Sequence, residues 1–118
     1  MVNFRSMRDL DWSHGEKTTA RAAFDAAFER ECRAIRREAE KMLQRCSEPR
    51  DVWRVHDYLS EKRLEVDRKY DYRYSVLISV LGRLLAQGWV TEAELSKLKP
   101  EKLQLIKRSA ATVREVDA

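Results

Sequence analysis

Between Gly15 and Pro49 the chain carries neither glycine nor proline, and apolar residues recur through that stretch at helical spacing. Ala20, Phe24, Ala27, Phe28, Ile35, Ala39, Met42 and Cys46 follow one another at steps that are mostly three, four or seven. The start is marked too. Ser13-His14-Gly15-Glu16 has the form of a capping box, in which the Ser accepts a backbone N–H three residues on and the Glu reaches back. The pattern predicts one amphipathic helix over 14–46. Roughly 30 helical residues make a rod of about 45 Å. A compact chain of 118 residues has a radius of gyration of only about 13–14 Å. The rod must project, and too little of its own chain is left to cover its apolar stripe. A second protomer is the simplest cover, so a homodimer is expected.

The remaining chain continues in helices. Ser47-Glu48-Pro49 breaks the rod, and Pro49 is well placed near the first turn of a second helix running to about Tyr70. Its core stripe reads Val52, Val55, Leu59, Val66 and Tyr70, with Glu65 and Lys69 at the spacing of an ion pair. Asp71 is a candidate cap for a third helix holding Val76, Leu77, Val80, Leu81, Leu84 and Leu85, which Gly88 would stop. Thr91-Glu92-Ala93-Glu94 is a second capping box opening a short helix, and Pro100 starts a last one through Leu103 and Ile106. With only 3 Gly and 2 Pro, the chain lacks the turn residues a β protein needs. The fold class is all-α: a single domain over 1–118, with residues 1–11 a flexible arm and 109–118 a frayed tail.

Reactive constellations are scarce. There is no Gly-rich phosphate loop, no HExxH and no CxxC. His14 and His56 lie far apart without further ligands at metal spacing, so no metal is expected. Cys32 and Cys46 would sit on one helix roughly 21 Å apart, too far for a disulfide, as befits free thiols in a reducing cytoplasm. No apolar run spans a membrane, and the start lacks the apolar segment of a signal peptide. An enzyme is not expected.

Two surfaces remain. Arg30, Arg33, Arg37, Lys41 and Arg45 recur along the first helix. They are either a docking strip for phosphates or acidic protein, or a solvated face balanced by Glu29, Glu38 and Glu40. Basic and acidic residues number 24 and 20 and are interleaved, and the strip holds no aromatics for stacking bases. On the second helix, Trp53, Asp57, Ser60 and Leu64 fall on a side adjacent to the core stripe, with His56 and Arg63 at its edge. Trp and Arg are typical interface anchors, and Asp57 and Arg63 could pair across a desolvated contact. Alternatively, Trp53 packs on the first helix of its own chain.

Within Val52–Leu95 the pattern W-x-x-H-D-[FY]-L-S-x-K-R-x-E-[IV]-D-x-K-Y-D-x-R is filled by Trp53, His56, Asp57, Tyr58, Leu59, Ser60, Lys62, Arg63, Glu65, Val66, Asp67, Lys69, Tyr70, Asp71 and Arg73. With the Trp12-Ser13 start and the first helix, the chain resembles the fluorescence recovery protein family of cyanobacterial photoprotection over roughly 12–108. The resemblance implies an elongated helical homodimer with a compact C-terminal helical head, no cofactor and no enzyme activity. It implies binding to the C-terminal domain of the photoactivated orange carotenoid protein, whose return to the resting orange form would be accelerated, ending quenching. It assigns partner binding to Trp53, His56, Asp57 and Arg63, and the dimer interface to Trp53, Ser60 and Leu64. The resemblance also implies an aromatic where Ser79 stands and a basic residue near Leu105, so both positions depart from it. The alternative is the same dimeric module with a carotenoid-unrelated partner; nucleic-acid binding by the arginine strip is a third possibility.

Overall fold

The computed structural model describes residues 10–117, so the expected arm lies outside them except for Leu10 and Asp11. Four helices follow in order: α1 (His14–Gln44), α2 (Val52–Lys69), α3 (Leu77–Ala86) and α4 (Pro100–Asp117). Short 3-10 turns lie at Pro49–Asp51 and Ala93–Leu95. Among the described residues there is no strand. The molecule measures 65 × 27 × 21 Å with a radius of gyration of 17.3 Å. A compact chain of this length would show about 13.5 Å.

α1 starts as its sequence predicts. Ser13 Oγ accepts the Glu16 N–H at 3.2 Å, and Glu16 Oε1 accepts the Ser13 N–H at 3.1 Å. The helix ends at Gln44, two residues short of the expected Cys46. Arg45 is its C-cap, and the chain then turns tightly around Asp51, whose carboxylate accepts the N–H groups of Ser47 and Glu48 at 3.2 and 3.1 Å. Pro49 therefore opens a 3-10 turn rather than α2 itself.

α2 runs back along the outer half of α1. Val55 lies beside Met42 and Cys46, and at its far end Lys69 reaches Glu31. The expected Glu65–Lys69 pair does not form: Lys69 Nζ is drawn to the buried Glu31 carboxylate at 2.6 Å and to Gln87 at 2.7 Å. Glu65 pairs with Lys62 at 3.2 Å instead. Tyr70 also donates to Glu31, at 2.7 Å. Burial, then that hydrogen bond, pushes its phenol far above the ordinary range.

Past Tyr70 the chain follows α1 toward its start. Phe24 meets the Tyr70 and Tyr72 rings edge-on at 5.4 and 4.9 Å, and Trp12 stacks near Tyr74 at 5.8 Å. This aromatic ladder, not a cap, sets the break: Asp71 bonds Arg73, and α3 begins at Leu77 with no side-chain cap. α3 ends at Gly88 as expected, which adopts a φ of +82° and lets the Trp89 N–H reach the Leu84 carbonyl at 2.9 Å. The Thr91–Glu94 box closes in both directions but opens only the 3-10 turn.

The core sits in the head. Leu77, Ile78, Leu81, Leu84, Leu95 and Ile106 are fully buried and pack against Trp12, Ala20, Ala23, Phe24 and Ala27 of the chain's first third. The alanines present the α1 side of this cluster. Glu16 is buried with Lys102 at 3.1 Å and also accepts the Lys99 N–H at 3.1 Å, which joins the first turns of α1 and α4. α4 continues to Asp117 beyond the expected fraying at Ser109, since Ala110 is still buried against the head. Further out the core thins. Of the predicted stripe residues, Phe28 and Leu59 are 41% and 42% exposed, and α2 buries only Val55 and Val66.

Candidate partner-binding surface on the stem

The stem is a two-helix hairpin, and two helices cannot bury all of an apolar face between them. Along α2, Val55 and Val66 point to α1, whereas Trp53 and Leu64 point the other way and are 65% and 57% exposed. Trp53 therefore does not pack on α1 of its own chain. Asp57 and Ser60 share this outward side and are exposed, as are His56 and Arg63 at its edge. His56, Leu59, Ser60, Arg63 and Leu64 line a shallow apolar depression.

Polar groups flank this surface without crossing it. Trp53 holds the His56 ring edge-on at 6.0 Å between centroids, and His56 Nδ1 lies 3.3 Å from Asp57 Oδ1. Arg63 Nε donates to Asp67 at 3.1 Å, one turn along α2. Asp57 and Arg63 thus have separate partners within the chain. Both contacts are solvent-exposed, and the Arg63–Asp67 pair is worth only about 0.2–1 kcal/mol, so an incoming protein can exchange them at little cost. The arrangement is an apolar centre of Trp and Leu rimmed by exchangeable charge, the usual anatomy of a protein contact.

The arginine strip of α1 is broken up. Arg30 turns into the head, where its guanidinium grips Glu94 at 2.7 and 2.9 Å and the Trp89 carbonyl at 2.9 Å. The Glu94 carboxyl is held below the usual range, first by this bond and then by Thr91. Arg33 pairs with Glu29 at 3.7 Å and Arg45 with Glu38 at 3.1 Å. What remains of a basic docking strip is mostly Arg37 and Lys41.

His14 and His56 lie in the head and the stem, and among the described residues no three His, Cys, Asp or Glu side chains gather as a metal site. Burial, with Glu29 and Glu31 nearby, raises the Cys32 thiol, which keeps it protonated. No helix among the described residues is long and apolar enough to cross a membrane. Ser79 and Leu105 line a groove between α3 and α4 on the head.

Sequence reasoning missed the two buried carboxylates. Glu31 occupies the gap in the α1 stripe between Ala27 and Ile35, a stripe position filled by a charge. That spacing was the available signal for a partner cation.

A family model for the photoprotection regulator fluorescence recovery protein matches residues 12–110. The chain is 38% identical over 102 residues to the fluorescence recovery protein of Synechocystis sp., covering 86% of this chain and 94% of that one. The solved structure of the Fremyella diplosiphon Fluorescence Recovery Protein is similar at 42% identity with a TM-score of 0.80, over 86% of this chain and 99% of that one. The Synechocystis structure matches with the same TM-score and coverage at 38% identity. Sequence, fold and coverage agree, and the chain belongs to the fluorescence recovery protein family of photoprotection regulators.

Proposed function

We propose that the protein is a non-enzymatic, cytoplasmic regulator that binds the photoactivated orange carotenoid protein. It accelerates that protein's return to the resting orange form and so ends photoprotective quenching. The observation that carries this reading, beside family membership, is the outward face of α2. There Trp53 and Leu64 stand 65% and 57% exposed among His56, Asp57 and Arg63, the residues that fill the family pattern. Binding speeds a conformational change only where its contacts are stronger in the reverting state than in the starting one. A rigid helical face suits that task because it pays little entropy to present its contacts.

The working form is a homodimer with Trp53, Ser60 and Leu64 at its interface. The thin stem core and the extended shape support this: burying Leu64 fully would contribute about 1 kcal/mol per protomer at its present exposure. Trp53 then serves both contacts, and partner binding and dimerisation are coupled through it.

The test is dark recovery of photoactivated orange carotenoid protein, followed by visible absorbance, with the Trp53→Leu and Arg63→Leu variants. Each is expected to lose stimulation while its far-UV circular dichroism retains the wild-type helix content. Full stimulation by both variants contradicts the site assignment. A second reading keeps the dimeric fold and changes the partner. It is favoured by Ser79 and Leu105, which place a small hydroxyl and an alkyl chain on the head where the family has an aromatic and a basic residue. Under that reading the wild-type protein leaves recovery unchanged.

A further inference from the structure

His14, Lys17, Thr18 and Arg21 follow one another at the spacing of a single helix side, over the first two turns of α1. The connector between α2 and α3 brings Tyr72 and Tyr74 beside them, and the six line an open trough. Its cations are seated on rings. The Lys17 ammonium lies 5.3 Å from the Tyr74 ring centre, and the Arg21 guanidinium lies 4.5 Å from that of Tyr72 and 5.6 Å from that of Phe24. The rings are held in turn: Tyr72 meets Phe24 edge-on at 4.9 Å, and Tyr74 packs near Trp12 at 5.8 Å. These contacts fix where each cation stands. Negative charge is scarce here. Among the described residues no carboxylate lies at ion-pair distance from Lys17. Asp25 engages Arg21 through Nε, at 3.3 Å.

The hydroxyls of the trough are already oriented. Thr18 donates to the His14 carbonyl at 3.1 Å and Tyr72 to the Lys17 carbonyl at 3.4 Å. Burial, then the neighbouring Tyr74 hydroxyl, pushes the Tyr72 phenol up to about 12, so it keeps that proton. Both oxygens are left with lone pairs rather than hydrogens to offer. A phosphate dianion, which only accepts, gains nothing from them. A peptide backbone brings N–H groups that they can accept.

We infer that this trough docks an extended acidic segment of a partner protein, with carboxylates at alternate positions on Lys17 and Arg21 and backbone N–H groups on the hydroxyls. The spacing fits. Lys17 and Arg21 are four residues apart on the helix, a rise of about 6 Å. Alternate side chains of an extended segment stand about 6.5–7 Å apart on one side. The trough is too open to enclose a small molecule, which needs most of its surface buried. Nucleic acid fits less well, because Lys17 and Arg21 already cover a face of Tyr74 and of Tyr72, where a base would stack. The inference rests on the reading of the chain as a protein-binding module. It places the contact apart from the Trp53 face and does not require that the partner carry a carotenoid.

The test uses the full-length protein, isotopically labelled for amide NMR. It is titrated at low ionic strength with an unstructured Gly/Ser peptide carrying a central Glu-Ala-Glu. The result expected is saturable shifts confined to the amides of residues 14–22 and 72–74. Lys17→Gln combined with Arg21→Gln is expected to weaken the peptide about five- to thirtyfold, from the loss of two exposed charge contacts. Because Arg21 also packs on Phe24, Lys17→Gln is measured alone as well, with an expected loss of about two- to fivefold and an otherwise unchanged amide spectrum. The charge-matched control is Arg36→Gln with Arg50→Gln, both already paired, which is expected to change affinity less than about twofold. A peptide with Glu-Glu-Ala in place of Glu-Ala-Glu points its carboxylates to opposite sides, and is expected to bind about threefold more weakly or less tightly still. Equal weakening by the two double variants, equal binding of the two peptides, shifts centred elsewhere, or no saturable shift would overturn the proposal. Displacement of the peptide by an equimolar single-stranded oligonucleotide would overturn the choice of a protein ligand. Trp53→Leu is expected to bind the peptide as wild type does, so this titration and the carotenoid-protein recovery assay fail separately.

Discussion

Replacing Gly82 by alanine tests the close crossing of α3 and α4 that builds the head. A Cβ at that position would lie 2.5 Å from Ser109 Oγ, 2.6 Å from Ser109 Cβ and 3.2 Å from the Ala110 backbone nitrogen. Rotating the Ser109 hydroxyl relieves the first of these contacts but not the second, which is fixed to the α4 backbone. α4 must therefore move away from α3, over a core that includes the fully buried Leu81 and Ile106. Overpacking of this kind costs about 1–3 kcal/mol. Against it stands the helix propensity gained by exchanging Gly for Ala, about 1 kcal/mol. Because the Ser109 Cβ and Ala110 nitrogen contacts are both fixed to the α4 backbone, the upper part of the overpacking range, about 2–3 kcal/mol, applies. The net expectation is a loss of roughly 1–2 kcal/mol, near 4–8 °C in Tm for a chain of this size. The assay is thermal unfolding by circular dichroism at one fixed protomer concentration, because any self-association makes Tm concentration-dependent. Adding Ser109→Gly to Gly82→Ala removes the clashing atoms. The pair is then expected to be more stable than the sum of the single effects by about 1 kcal/mol or more. A Gly82→Ala variant as stable as wild type, or purely additive effects in the double variant, would refute the close-crossing argument.

Three further outcomes follow from buried charge and exposed apolar surface. Burial alone would raise the Glu16 carboxyl, but the N–H groups of Lys99 and Ser13 and the Lys102 ammonium outweigh it and leave the pKa below the ordinary carboxylate value. A depressed pKa stabilises the fold above the unfolded-state value of about 4.3, and that contribution is lost as pH falls through the folded one. Tm is therefore expected to drop below about pH 4.5, and less steeply in Glu16→Gln. That variant also leaves Lys102 buried without its counter-charge, and is expected to cost about 3 kcal/mol near neutral pH in urea unfolding. Glu31→Gln strands Lys69 in the same way and is expected to cost about 3 kcal/mol, with increased amide exchange where α2 meets the head. Leu64→Asp places a charge on the proposed dimer interface, and sedimentation velocity is expected to show a monomer of unchanged helicity; a persistent dimer rules that interface out.

The sequence made the helices legible because their signals are local. The Ser13–Glu16 box, the Pro49 break, the Gly88 stop and the Pro100 start all act within a few residues, and each marks a boundary in the structure. Tertiary consequences were less legible. Phe28 and Leu59 keep helical spacing with the core, yet the hairpin has no third layer to cover them. Lys69 had a good local partner in Glu65, but a buried carboxylate 38 residues away outcompetes an exposed one because a buried charge left unpaired is far costlier than one in water. The end of α4 was misjudged because its support comes from α3 across the groove. The α2 face was legible on both counts: the pattern carried the family, and the helical wheel carried the outward side.

The central claim is that this protein acts on a carotenoid-binding photoreceptor, and dark recovery kinetics address it most directly. Photoactivated orange carotenoid protein is allowed to revert in the dark, by visible absorbance, with and without the wild-type protein at substoichiometric amounts. Faster reversion with turnover is the predicted result. An unchanged rate, with a folded helical protein confirmed in the same sample, would contradict it and assign the stem surface to a different partner.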